Sequence, residues 1–220
     1  MPSAETAPAY KGRIKYNQRA AHKYQIRKAA KHLAEMRLVD RAFRLVPKTH
    51  RVLDVPCGGG RVTVHLAKKG YDVAAADLSE SMIAITRENV AKEKLNCTVE
   101  HQDIEKLTFA EGAFDSVISF RLFHHFPTPE IRQRAVSELC RVARKHVALS
   151  YFNPLSITSV KNRLRAAMGG KKTDKFPTPL SEVKKYFENA GFKLVKDFAQ
   201  TPLIHTMHAA LFERVGESKA

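Results

Sequence analysis

From Arg51 onward, short runs of apolar, β-branched residues alternate with stretches in which apolar side chains return every three or four positions, the signature of strands separated by helices. Arg51 to Val55 reads as the first strand, and Pro56 keeps Val55 extended so that the strand stops there. Val62, Leu66 and Ala67 place a helix next. Tyr71 to Ala76 is a second strand ending on Asp77, after which Ser79 offers an N-cap for a helix through Met82, Ile85 and Val90. Asn96 to Glu100 reads as a third strand with Asp103 just beyond it. Ala113 to Phe120 reads as a fourth, closed by Arg121-Leu122-Phe123-His124-His125-Phe126. A helix over Pro129 to Arg144 leads to a fifth strand, His146 to Phe152. Pro179 to Ala190 is a helix stopped by Gly191, and Phe192 to Ala199 with Met207 to Val215 are two strands whose short connection predicts an antiparallel pair. The pattern predicts an α/β protein: a doubly wound, mostly parallel seven-stranded sheet with a C-terminal antiparallel hairpin.

Two regions depart from this rhythm. Residues 1–12 are rich in Ala and Pro without periodicity and predict disorder. From Ile26 the positions Ala30, Leu33, Met36 and Phe43 recur at helical spacing while Arg27, Lys28, Lys31, Arg41 and Arg44 take the other face, so a basic amphipathic helix is expected, ended by Pro47. Residues 153–178 are rich in Lys and Arg around one short helix at Val160, Leu164 and Met168, and read as an insertion over the active face. The expected organisation is a basic extension over residues 1–45 and a domain over 46–215.

Charge sharpens this picture. Of a net +16, residues 1–50 hold twelve Lys or Arg against three acids and residues 141–175 hold nine against one, so the rest of the chain is close to neutral. The two basic segments suit an anionic partner such as RNA, a phospholipid surface or a phosphorylated substrate, or simply two solvated helices. The three cysteines, Cys57, Cys97 and Cys140, form neither an even framework nor a C-x-x-C pair, so no disulfide or metal site is expected. With no apolar run near the ~18 residues of a spanning helix, a cytoplasmic protein is expected. Peripheral contact at the inner face of a membrane stays open.

The chemistry concentrates at the predicted strand ends. Asp54 runs into Gly58, Gly59 and Gly60, glycines that admit backbone angles other residues resist, and the helix behind them turns its N-terminal N–H groups toward a ligand. Asp77, Asp103 and Ser119 stand at the three other strand ends, where open α/β sheets bind ligands. Val52-Leu53-Asp54-Val55-Pro56-Cys57-Gly58-Gly59-Gly60, with Asp77 lying 23 positions after Asp54, resembles the first motif and second acidic site of the class I S-adenosylmethionine-dependent methyltransferases, in their small-molecule, quinone-methylase-like group. The resemblance covers residues 45–152; Pro56 departs from it, standing where the family usually has a glycine. The rival G-x-G-x-x-G dinucleotide fingerprint fits worse, because its third glycine is missing.

The resemblance implies a Rossmann-like fold and S-adenosylmethionine as cofactor. Asp77 would accept the ribose hydroxyls, or else cap the next helix. Asp103 and Ile104 would meet the adenine edge, and Asp54 with the loop through Gly60 would hold the methionine end. Ser119 would add a backbone carbonyl, and Leu78 and Met82 would pack against the adenosine or serve as core. His124 is the candidate base, with His125 behind it; His205 and His208 border the expected acceptor loop, and Tyr16 and Arg19 could close over the cofactor. No metal is expected. The function implied is methyl transfer to a small-molecule or lipid-linked or glycan-linked acceptor, at oxygen. The alternatives are an RNA methyltransferase using the basic segments, or a non-enzymatic protein binding a nucleotide or a membrane. The oligomeric state is open.

Overall fold

A computed structural model describes residues 29–170, 174–201 and 204–216. The expectations for residues 1–12, Tyr16, Arg19, Ile26, Arg27 and Lys28 lie outside these. In chain order the elements are α1 (Ala29–Phe43), β1 (Arg51–Asp54), α2 (Arg61–Lys68), β2 (Asp72–Asp77), α3 (Glu80–Lys92), β3 (Thr98–His101) and β4 (Phe114–Ser119). After a 3-10 turn over Phe123–His125 come α4 (Pro129–Val142), β5 (Ala143–Phe152), α5 (Ile157–Ala167), α6 (Leu180–Glu188), β6 (Phe192–Ala199) and β7 (Met207–Arg214).

All seven strands form one sheet in the order β3-β2-β1-β4-β5-β7-β6. Strands β1 to β5 pair in parallel, while β7 runs antiparallel to both β5 and β6. The expected fold is therefore present, with β7 threaded between β5 and β6. Because β2 and β4 flank β1, the loops leaving β1 and β4 depart to opposite faces and open a crevice at their carboxyl ends.

Neighbouring strand residues face opposite ways, and each face is apolar. Leu53 and Val117 join Phe126, Leu139, Phe187 and Phe212 on one side. Val52 and Ile118 join Leu38, Val39, Leu66 and Leu211 on the other. On the first face the rings of Phe187 and Phe212 stack at 3.7 Å.

The second core corrects the reading of α1. Its buried stripe is Met36, Leu38, Val39, Ala42 and Phe43, whereas Leu33 is 51% exposed, so the helix is rotated from the expected face. Full burial of a Leu or Val side chain contributes about 1.5–3 kcal/mol, enough to make α1 part of the domain's core rather than an appended arm. The Tyr71 hydroxyl fastens the helix end by donating to the carbonyls of Phe43 at 2.9 Å and Val46 at 3.0 Å. A second difference is at Ala143, where α4 passes straight into β5, three residues before the expected strand start at His146.

Candidate active site

The glycine loop is held from two sides. From β2, the Ala76 carbonyl accepts the Cys57 N–H at 2.8 Å, and the Asp77 carboxylate accepts the Gly58 N–H at 2.8 Å. From α3, the Thr86 hydroxyl donates to the Gly58 carbonyl at 2.6 Å and the Asn89 amide to that of Gly59 at 2.9 Å. Gly58 and Gly60 adopt left-handed angles, φ 54 and φ 73. A Cβ on Gly60 would sit 2.8 Å from Thr86 Cγ2, so both the angle and the space demand glycine there. The Val55–Pro56 bond is cis, and Val55 still donates its N–H to the Ile118 carbonyl at 2.9 Å. Buried beside Asp54 and Asp77, the Cys57 thiol is pushed well up and stays protonated.

Asp54 is fully buried at the end of β1; one carboxylate oxygen accepts the Thr63 hydroxyl at 2.6 Å, and the other, Oδ1, meets no hydrogen-bond donor among the described residues. Burial, with the Asp77 charge adding to it, pushes the Asp54 carboxyl up to about 7 against the lowering by Thr63. A buried acceptor without a donor is costly, and an ammonium placed there would satisfy it. That is the fit an aminocarboxypropyl sulfonium requires. Asp77 accepts the Ser79 N–H at 2.9 Å as well as Gly58, and the carboxylate keeps acceptor capacity that ribose hydroxyls could use. Burial raises its carboxyl, and these backbone donors hold it back.

Asp103, half-buried past β3, accepts the Glu105 N–H at 3.0 Å, and Ile104 beside it is buried in the core. Ser119 ends β4, buried. Leu78 is half-buried, while Met82 is 1% exposed. Asp54, Gly58, Gly59, Gly60, Asp77, Asp103 and Ser119 thus all stand along one edge of the sheet.

One group escaped the sequence reading. Glu35 of α1, fully buried, receives Arg61 at 2.9 Å on one oxygen and Arg121 at 2.7 Å on the other. Arg61 opens α2 directly after the glycine loop, and Arg121 follows β4. One carboxylate therefore ties the loop to the neighbouring strand end. Arg121 itself has φ 69, a left-handed angle that is uncommon outside glycine, and its N–H donates to the Ser150 hydroxyl at 2.6 Å. The available signal was an acid at helical spacing with Leu38, Val39 and Ala42, on the face that packs inward.

Beside this edge lies a cavity of about 580 Å³, at the ends of β4 and β5 and roofed by α5. Phe152, Pro177 and Met207 give it apolar wall; Lys31, Arg121, Arg163, Lys175 and His205 give it charge and hydrogen-bond donors. His124 is not among the described residues that line it. Its ring is fully buried and stacks on Phe152 at 3.8 Å, so the expected base is a packing residue in this arrangement. His125 is also buried, and His208 pairs with Asp197 at 2.6 Å. His205 does line the cavity, but its Nδ1 accepts the Met207 N–H at 3.1 Å, which leaves Nε2 to carry the proton of the neutral ring.

Residues 52–146 match the family model described as a methyltransferase domain. The chain is 40% identical over 83 residues to a ubiquinone biosynthesis O-methyltransferase of Coxiella burnetii, covering 38% of this chain and 36% of that protein. It is 28% identical over 169 residues to the enzyme of the same name from Xanthomonas axonopodis, covering 74% and 70%. The chain thus spans about a third of the length of the Coxiella relative. In fold it is similar to magnesium protoporphyrin IX methyltransferase of Synechocystis with bound S-adenosylhomocysteine, with a TM-score of 0.76 at 18% identity over 92% of this chain and 98% of that one. Sheet order and loop geometry agree with these likenesses: residues 52–146 match a methyltransferase domain, and the fold is similar to that of S-adenosylmethionine-dependent methyltransferases.

Proposed function

We propose that this protein methylates a hydroxyl oxygen of a small or lipid-linked organic acceptor seated in the cavity over β4 and β5. When bound, S-adenosylmethionine supplies an electrophilic methyl group on a sulfonium. The chain's own residues position and ionise. Asp77 and Asp103 orient the nucleoside, Asp54 the ammonium, and the Glu35 bridge sets the glycine loop against Arg121, which borders the cavity. Such alignment can supply on the order of 7–11 kcal/mol of the barrier. Among the described histidines none is arranged as a base, so the acceptor hydroxyl gives its proton to solvent water, and nearby cations favour the oxyanion that remains.

The cavity's position carries this reading, because it borders the edge that holds the cofactor-binding residues. The names of the two relatives support oxygen as the acceptor atom. The basic segment over residues 141–175 also supports a small acceptor. Arg141 pairs with Glu138 and Arg144 with Asp115, while Arg163 and Lys175 wall the cavity, so much of its charge is engaged within the protein. The test is label transfer from S-[methyl-³H]adenosylmethionine to catechols, hydroquinones and cell extracts, with identification of the labelled product. A methyl ether is expected. Label found only on nitrogen, carbon or RNA would overturn the proposal.

A further inference from the structure

Helix α5 presents its faces in the reverse of the usual order. An amphipathic helix ordinarily packs its apolar stripe inward and leaves its polar face to water. In α5, Thr158, Ser159, Asn162, Arg163 and Ala166 line the cavity. Ile157, Val160 and Leu164, with Met168 at the helix end, fall within about 80° of one another on the opposite side. All four are exposed, from 40% at Val160 to 81% at Met168. Leu155 and Ile204 extend the patch past the helix start. Both are exposed, and Thr158 donates its N–H at 3.3 Å and its hydroxyl at 2.6 Å to the Ile204 carbonyl, which sets that residue beside the first turn. The rotation of the helix is fixed from within: Ser156 caps it by accepting the Ser159 N–H at 3.1 Å, and the Ser159 hydroxyl donates to the Asn153 carbonyl at 2.9 Å. Single exposed apolar residues need no explanation, but six gathered around one short helix do.

The charges on this element are of one sign. Lys161 and Arg165, both exposed, flank the stripe, and between Glu138 and Asp174 the sequence holds no acid. We propose that the outer face of α5 seats the protein on an anionic phospholipid surface, with Leu155, Ile157, Leu164 and Met168 entering the headgroup boundary and Lys161 and Arg165 meeting lipid phosphates. At eleven residues α5 rises about 16 Å, half of the ~30 Å of a hydrocarbon core, so it lies along the bilayer. Long basic side chains beside an apolar stripe keep their stems in the apolar layer and their charge at the phosphates. A second copy of this chain fits the face less well. Two such faces meeting about a twofold axis would set the Lys161 and Arg165 of each copy against the other's, with no acid of α5 between them. Because its opposite face lines the cavity, α5 seated in this way brings the cavity within about one helix diameter, ~10 Å, of the lipid. The docking surface is independent of the atom methylated there.

The chain has no tryptophan, so Leu164→Trp places a single reporter on the outer face. With vesicles of phosphatidylglycerol and phosphatidylcholine in equal parts, its emission is expected to shift to the blue and to be quenched by brominated acyl chains. Unchanged emission overturns the inference. Co-sedimentation of the full, unsubstituted chain is expected to show at least tenfold stronger partition into these vesicles than into phosphatidylcholine alone. The triple variant Ile157→Ser, Leu164→Ser, Met168→Ser, at exposed positions, is expected to lower that partition tenfold or more while thermal unfolding stays unchanged. Lys161→Gln with Arg165→Gln lowers it by about fivefold for each charge removed. Anionic binding that survives the triple variant belongs to another basic part of the chain and overturns the inference, as does equal partition into the two kinds of vesicle. Sedimentation velocity without lipid covers the remaining occupant: a dimer that the triple variant dissociates would assign the face to a second copy and overturn lipid docking. None of these measurements uses methyl transfer, so their outcome is separate from that of the proposed reaction.

Discussion

Along the edge proposed to hold the cofactor the side chains are acidic, and the backbone holds them: Asp77 fixes Gly58 and Ser79, and Asp54 ends a strand. Around the cavity they are basic, and side chains, rings and a buried carboxylate hold them, as Glu35 holds Arg121 and Phe152 seats Lys175. The acidic edge comes from short spans of consecutive residues, since each ligand group sits at or just past a strand end. The basic cavity is assembled from stretches more than a hundred residues apart, from Lys31 to His205. The two sides therefore fail differently. Damage to the first is local, whereas damage to the groups that join the second to the first spreads.

The largest effect is expected where the sides meet. Glu35→Ala leaves two largely buried guanidinium groups without their carboxylate, and removing one member of a buried ionic pair costs about 3–5 kcal/mol. Urea denaturation measures it, and both cofactor and acceptor affinity should fall together. A variant of undiminished stability would show that the bridge does not couple the two sides. Asp77→Ala acts on the acidic edge alone, weakening S-adenosylmethionine binding by about 1.5–3 kcal/mol as charged hydrogen bonds are lost. Calorimetry reads this, and unchanged affinity would remove Asp77 from the ribose site.

Asp54 gives a pH signature confined to the same edge. Its carboxyl is raised to about 7 from an unfolded value of about 3.9. The folded protein therefore binds the extra proton, and this group's contribution to stability is complete below about pH 4 and lost as pH rises through about 7. An ammonium beside Asp54 favours the ionised form, so cofactor binding at pH 6 should release protons, and at pH 8 far fewer. Titration in two buffers of different ionisation enthalpy detects the release; identical observed heats in both at pH 6 would argue against Asp54 as the ammonium's partner. The smallest effect lies outside both sides. Leu33→Ala on the exposed face of α1 should change stability by no more than about 0.5 kcal/mol, while Leu38→Ala costs about 2–5 kcal/mol. Thermal unfolding separates them, and a reversed order would return α1 to the face expected from its spacing.

The sequence by itself determined the strand and helix order, the antiparallel C-terminal pair and the placement of Asp54, Gly58, Gly60 and Asp77 at strand ends. Each of these depends on residues near one another in the chain: β-branched runs, a proline, glycines with left-handed angles, a serine cap. Only the tertiary structure decided that Leu33 faces out and Glu35 faces in, because a helix's apolar stripe is chosen by the surface it meets and two plausible stripes overlap on α1. It likewise buried His124 against Phe152 and gathered Lys31, Arg121, Arg163, Lys175 and His205 around one cavity. Those contacts join segments brought together by sheet order, and no spacing along the chain encodes a distance across a fold.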